Sequence, residues 1–265
     1  MPGEPPPAKG PGHGHGYDLV ARGSRGKAPL GTAIFIGLRA LDPLLQRQLL
    51  LHSPLPHLAR LLGLSPPAAP PTGGLPLAGT GLAPYQSLVW AYSIGSAAKH
   101  IFWALFLGNE PISPAAAAII AVFNTLNNTL NTLAYDLAGE NPTYFEPWSV
   151  YAGSALFFTG VLTETVGEIQ RKRFKDRPEN EGKIYRGGIF SVVRHASYLG
   201  YSLWRGGYAM ACGGPLWGAA VMSFFLWDFA NRAIPILDEY MANKYGEQWM
   251  KMKRDVPYAL IPGVW

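Results

Sequence analysis

The chain has 265 residues, a formal net charge of +5 at pH 7, 48% hydrophobic residues and only 15% charged ones. An ordinary soluble domain carries ~25% charged residues, so the composition excludes a disordered or highly charged chain. It also disfavours a soluble enzyme, because the apolar residues fall in blocks of roughly 20, enough to cross a hydrocarbon core of ~30 Å.

Residues 1–16, MPGEPPPAKGPGHGHG, contain no apolar h-region, so no signal peptide is expected. The stretch 1–30 reads as a disordered Pro/Gly-rich cytosolic tail. His13 and His15 have no anchoring ligand nearby, and no metal site is expected. The first apolar segment, Gly31 to Leu51, is interrupted by Arg39, Asp42, Pro43 and Arg47, and either spans or lies partly in the interface. A connection rich in Pro, Gly and Leu follows to Pro84, with SPPAAPPTGG as loop. The later segments run Tyr85 to Leu107, Ala115 to Leu137, Trp148 to Glu168, Gly188 to Cys212 and Leu216 to Leu237. Gly213-Gly214-Pro215 is a short turn that makes the last two antiparallel neighbours. The single cysteine, Cys212, reads as a small buried hydrophobe.

Basic residues favour the cytosolic side of short loops. With six crossings, the clusters Arg22/Arg25/Lys27, Arg171 to Arg186 and Lys244 to Arg254 share one face. The expected fold is therefore an all-α polytopic transmembrane bundle of about six spans with both termini cytosolic. Residues 31–146 form its substrate side and 147–265 its cofactor-binding region. The positive excess is a topology signal, and no nucleic-acid partner is expected. No heptad pattern, internal repeat or G-x-G-x-x-G after a strand is visible, so any nucleotide binds without a Rossmann unit.

Ionisable groups are costly at membrane depth and invite functional readings. Lys99 and His100 fall near a cytosolic end, where snorkelling explains the lysine. Asn124, Asn127, Asn128 and Asn131 share one helix face that looks inward, for interhelical hydrogen bonds first and a ligand second. Glu164 and Glu168 stack one turn apart, with Glu168 explained by solvation at the interface and Glu164 deeper. Arg194-His195-Ala196-Ser197-Tyr198 enters the membrane with a fork for phosphate oxygens and two groups able to move protons. Arg205 lies deeper, against a carboxylate or the cofactor. Asp228, Arg232, Asp238 and Glu239 face it from the following helix, where they suit a ligand site.

The run ETVGEIQRKRFK, the NEGK that follows, and YRGGIFSVVRHASYLG resemble the carboxyl-terminal signature of the steroid 5α-reductase-like membrane family, of the DUF1295 type. The ending DEYMANKYGEQWMKMKRDVPYALIPGVW is similar to the tails of sterol C14 and C24 reductases. The resemblance covers about residues 147–265. It implies an integral membrane enzyme of the endoplasmic reticulum that uses NADPH. By resemblance, Arg173, Lys175, Asn180, Lys183, Arg194, His195 and Tyr198 bind the cofactor. Asp238, Glu239, Lys244, Tyr245 and Trp249 close the other side of its pocket.

Two departures stand out. Ala196-Ser197 replaces the family's Pro-Asn, and Leu199, Gly200 and Tyr201 follow Tyr198 where a Glu is common. Arg-His-x-Ser-Tyr-x-Gly followed by Trp, with Arg232 ahead of Asp238 and Glu239, also resembles isoprenylcysteine carboxyl methyltransferases, which bind S-adenosylmethionine. The first expectation is an NADPH-dependent reductase of a carbon–carbon double bond in a hydrophobic molecule, with Tyr198 or Glu164 supplying the proton. The alternative is a membrane methyltransferase using S-adenosylmethionine. The third reading is a non-catalytic lipid-binding protein. All three have a hydrophobic small molecule and the bilayer as partners.

Overall fold

The computed structural model describes Gly26 and residues 28–68, 78–137 and 147–265. His13, His15, the basic residues Arg22, Arg25 and Lys27, most of the expected tail, the end of the SPPAAPPTGG loop and the connection 138–146 lie outside the described residues. Among the described residues every regular element is helical. They are α1 (Pro29–Leu51), α2 (Leu55–Leu61), α3 (Pro84–Phe102), α4 (Pro114–Leu137), α5 (Pro147–Lys175), α6 (Ala196–Asp228), α7 (Ile234–Tyr245) and α8 (Glu247–Asp255). Wider π turns extend α3 through Trp103–Leu107 and join α6 to α7 through Phe229–Ala233.

Prolines start α1, α3, α4 and α5, where a missing N–H costs nothing. Two of the four interruptions in α1, Arg39 and Asp42, belong to its inner face. Arg39, Asp42 and Gln46 recur at helical spacing, and all are buried. The helix continues through Pro43, whose carbonyl accepts the Trp90 indole N–H at 2.9 Å. α5 runs two turns past its expected end, so Arg171, Lys172, Arg173 and Lys175 are helical residues, not loop. The fifth segment starts later than expected. Gly188–Ser191 is a short 3-10 turn, and Arg194 and His195 precede the first turn of α6.

α6 is a hairpin. Gly214 takes φ 83°, a left-handed value that an L side chain resists, and Pro215 follows it. The arms close tightly: a Cβ on Gly218 would lie 2.4 Å from Met210 Cβ, and one on Gly206 2.6 Å from Met222 Cβ. The stretch Ala196–Tyr245, which contains this fold-back, is apolar and long enough to cross a membrane.

α5 and the first arm of α6 pack antiparallel at backbone distance. A Cβ on Gly160 would meet Trp204 N at 2.4 Å, and one on Gly207 would meet Phe157 N at the same distance. Gly153, Gly160 and Gly167 recur every seventh residue, as do Gly200, Gly207 and Gly214. Gly153, Gly160, Gly200 and Gly207 form a seam of small residues of the kind that lets helices approach closely, while Gly167 faces Ile189 and Phe190 and Gly214 makes the hairpin turn.

The centre of the bundle is polar. Arg39 pairs with Asp42 at 3.1 Å and donates to Ser96 Oγ at 2.9 Å. Asn128 donates to Asp42 at 2.6 Å, and Thr132 donates to Gln46 at 2.8 Å. Arg205 donates to the carbonyl oxygens of Asn128, at 3.0 Å, and Asn124. Trp217 donates to Asn131 at 2.8 Å. Three of the four predicted asparagines thus serve interhelical bonds. Asn127 does not look inward; it donates to the Phe123 carbonyl of its own helix. The outer faces are apolar: Val122, Leu126 and Leu130 on α4, and Phe158, Leu162 and Val166 on α5, are all exposed.

Candidate active site

Two cavities lie side by side at one end of the bundle, sharing Trp103 and Glu168 in their walls. The first, of about 300 Å³, is enclosed by the end of α5, the α5–α6 connection, α7 and α8. The second, of about 490 Å³, lies between α3, α4, α5 and the hairpin.

The first cavity is aromatic and charged. Tyr185, Phe190, Tyr245 and Trp249 supply rings, Glu110 and Glu168 carboxylates, and Arg171, Lys172, Lys175, Arg194 and Lys244 cations. The basic end of α5 and the Lys-Tyr-Gly segment meet here, because Lys175 Nζ donates to Tyr245 Oη at 2.8 Å and to the Lys183 carbonyl. Several of these cations are already engaged: Lys172 with Asp176 at 3.1 Å, and Lys244 with Tyr240 Oη at 2.7 Å. Arg194 binds the tail, donating to the carbonyls of Val256 at 2.6 Å and Pro257 at 2.8 Å. Burial lowers its guanidinium below the ordinary value, against the opposing pull of Asp238. The backbone N–H groups of Arg194 and His195 donate to Tyr258 and Ala259 at 3.0 Å each. The Val-Pro-Tyr ending is therefore the strap that holds the Arg-His pair in place. His195, 4% exposed, stacks on Tyr198 and sets its edge to Trp249.

The second cavity is mostly apolar, with Phe35, Tyr198, Tyr201, Phe225 and Phe229 among its walls. Tyr198 stacks on Phe229 with centroids 4.5 Å apart. Lys99 is not snorkelling: its side chain is 7% exposed and pairs with Glu164, which also accepts the Trp204 indole N–H at 2.8 Å. Glu168 is not at a solvated interface either. It is buried at the junction of the cavities, with Arg171 3.7 Å away. Arg232 forms a two-pronged pair with Asp228 at 2.6 and 2.7 Å on the cavity wall.

The remaining expected cofactor residues lie elsewhere. Arg173 and Lys183 are exposed and line neither cavity. Asn180 caps the end of α5 by donating to Phe174 O at 2.9 Å. Arg205 is fully buried in the polar centre, its guanidinium 4.3 Å from the Trp204 ring. Asp238 turns to α8, accepting from Trp249 Nε1 at 3.0 Å and Lys253 at 2.7 Å, while Glu239 is exposed. Sequence reasoning missed Trp103, Glu110, Tyr185 and Phe190. Only the aromatic character of Tyr185 and Phe190, close ahead of Arg194-His195, offered a signal.

The family described as "Protein of unknown function (DUF1295)" matches residues 112–256, which include α4, α5, the hairpin and α7. The chain belongs to this family. DUF1295 residues therefore build most of both cavities. The chain is 37% identical over 238 residues to the probable O-methyltransferase ustE of Ustilaginoidea virens, covering 86% of this chain and 84% of that protein. It is also similar to protein-S-isoprenylcysteine O-methyltransferases. With that of Saccharomyces cerevisiae it shares 25% identity over 57% of this chain and 64% of the other. With form B of Arabidopsis thaliana it shares 26% identity over 41% and 53%. None of these three relatives is named as a reductase. The reductase and NADPH expectations thus find no support in them, and the methyltransferase alternative fits the names better.

Proposed function

We propose that the protein is a membrane-embedded O-methyltransferase that uses S-adenosylmethionine and acts on a hydrophobic acceptor. The observation that carries this reading is the meeting of a charged, aromatic cavity with an apolar one at Trp103 and Glu168. Methyl transfer needs a donor and an acceptor brought together at one point with water excluded.

The first cavity suits S-adenosylmethionine by its donor set. Flat rings at Tyr185, Tyr245 and Trp249 suit the adenine, Arg194 suits the carboxylate, and Glu168 with nearby ring faces suits the sulfonium. When bound, the group supplies an electrophilic methyl. It carries no phosphate, which accords with Arg173 and Lys183 facing away and with Lys172, Lys175 and Lys244 being engaged by protein groups. His195 and Tyr198, stacked across the boundary, fix the orientation of both partners, and the tail strap holds Arg194. Tyr198 lines the acceptor side, not the cofactor side.

The bilayer reading rests on the inverted polarity of the bundle: a charged and amide-rich centre within leucine, valine and phenylalanine faces. In it, α1, α3, α4, α5 and the two arms of the hairpin are the six crossings, and the basic α5–α6 connection and tail face the cytosol, as in the endoplasmic reticulum. The test is transfer of a labelled methyl group from S-adenosylmethionine to lipid-soluble acceptors by the purified protein. Absence of transfer together with acceptor-dependent NADPH oxidation would reverse the proposal.

A further inference from the structure

Resting on the methyltransferase reading, we propose that Glu168 is the base that takes the proton of a hydroxyl acceptor, and that the acceptor is a phenol or enol rather than a carboxylic acid. A carboxylate acceptor needs cations left uncommitted in its cavity. The lysine and arginine lining the apolar cavity, Lys99 and Arg232, are held by Glu164 and by both oxygens of Asp228. Glu168 has Arg171 3.7 Å away, so each of the three carboxylates in the cavity lining is matched by one cation, and none of these cations is left over for a further anion. A neutral acceptor needs no such cation but must lose a proton on reaction.

Glu168 is the carboxylate placed for it. It lies in the walls of both cavities, where donor and acceptor meet, and its ion pair with Arg171 is long, at 3.7 Å, to a side chain 48% exposed. Glu164, by contrast, is spent on Lys99 and the Trp204 indole. A second feature points to a polar ligand group in the same cavity. His100, 7% exposed, lines it and leaves Nδ1 without a hydrogen-bond partner. In the step, the acceptor O–H bond breaks and its proton passes to a Glu168 oxygen. The electron pair left on the acceptor oxygen forms the new O–C bond, and the S–C bond breaks with its pair remaining on sulfur. A phenol, with a pKa near 10, is within reach of a carboxylate base in a way that an aliphatic alcohol is not.

The experiment compares wild type and Glu168→Gln on three probes: β-naphthol, para-nitrophenol and an N-acetyl S-prenyl cysteine. Calorimetric binding of S-adenosylhomocysteine is measured for both proteins. Expected at pH 6, where para-nitrophenol enters largely neutral, are methylation of β-naphthol by wild type, a loss of about a hundredfold in Glu168→Gln, and a markedly smaller loss on para-nitrophenol, the more acidic phenol, in the same variant. Adenosylhomocysteine should bind both proteins equally. Preference of wild type for the prenyl cysteine, which needs no folded variant to observe, would overturn the inference and leave the methyltransferase reading standing. So would equal losses on both phenols. Failure of wild type to bind adenosylhomocysteine would overturn both.

Discussion

The indole N–H of Trp204 reaches Oε2 of Glu164 at 2.8 Å across an interface that only glycines permit. A Cβ on Gly200 would sit 2.8 Å from the backbone nitrogen of Glu164, and one on Gly160 would sit 2.4 Å from that of Trp204. The close approach of α5 to the hairpin thus fixes the carboxylate that holds Lys99. Packing at the seam and charge placement at the apolar cavity are one arrangement.

Gly160→Ala should therefore cost about 1–3 kcal/mol of stability, since backbone atoms rather than flexible side-chain ends stand in the way. Thermal unfolding in detergent measures it. Gly37→Ala, at a position with open space around it, should leave the unfolding temperature unchanged or slightly raised.

Arg205 organises the centre of the bundle through Asn124, Asn128 and Tyr201. Arg205→Met should destabilise the fold by about 2–4 kcal/mol, because buried amide oxygens lose their donors. The fraction that remains folded should bind S-adenosylhomocysteine with unchanged affinity. A selective loss of affinity with the fold intact would put Arg205 back in the cofactor site.

Much of the fold was legible in the sequence because apolar blocks and Gly-Pro punctuation carry it. The six long segments and the fold-back at Gly214-Pro215 follow from these signals. The weak first segment was harder to read, since Arg39, Asp42 and Gln46 lower its hydrophobicity while forming its buried face. The glycine seam went unseen because a periodicity search weighs hydrophobic residues, and glycine is nearly silent there. For the site, the Arg-His-x-x-Tyr stretch lies along the two cavities, with Arg194 and His195 lining the first and Tyr198 the second. Phosphate chemistry was assigned to the cations by family resemblance, supported by the density of positive charge between Arg171 and Arg186. Neither reveals that Lys175 is held by Tyr245 or that Arg173 and Lys183 line neither cavity.

Neutralising cations should separate the cavity residues from the outward ones. Arg173→Ala should leave S-adenosylmethionine affinity within twofold, while Arg194→Ala should weaken it about tenfold or more, as loss of a charge-assisted contact does. Calorimetry on both variants checks the contrast. Comparable losses would indicate a phosphorylated ligand spread over the basic surface.

The tail strap carries a pH dependence at its outer end. The hydrogen bond from Arg186 holds the Asp255 carboxyl below its ordinary 3.8. A depressed carboxylate stabilises the docked tail above its unfolded value, and that contribution is lost as pH falls through the lowered one. The pair is solvent-exposed, so the effect is small. Limited proteolysis after α8 should quicken as the pH is lowered in wild type, and Asp255→Asn should cleave faster at neutral pH with a flatter acid response.

The most direct measurement is a titration of the purified, detergent-solubilised protein with S-adenosylmethionine and, separately, with NADPH. Saturable binding of the methyl donor, weakened by Trp249→Ala and indifferent to excess NADPH, is the expected result. Tight NADPH binding that displaces the methyl donor, or that occurs without any methyl-donor binding, would contradict it.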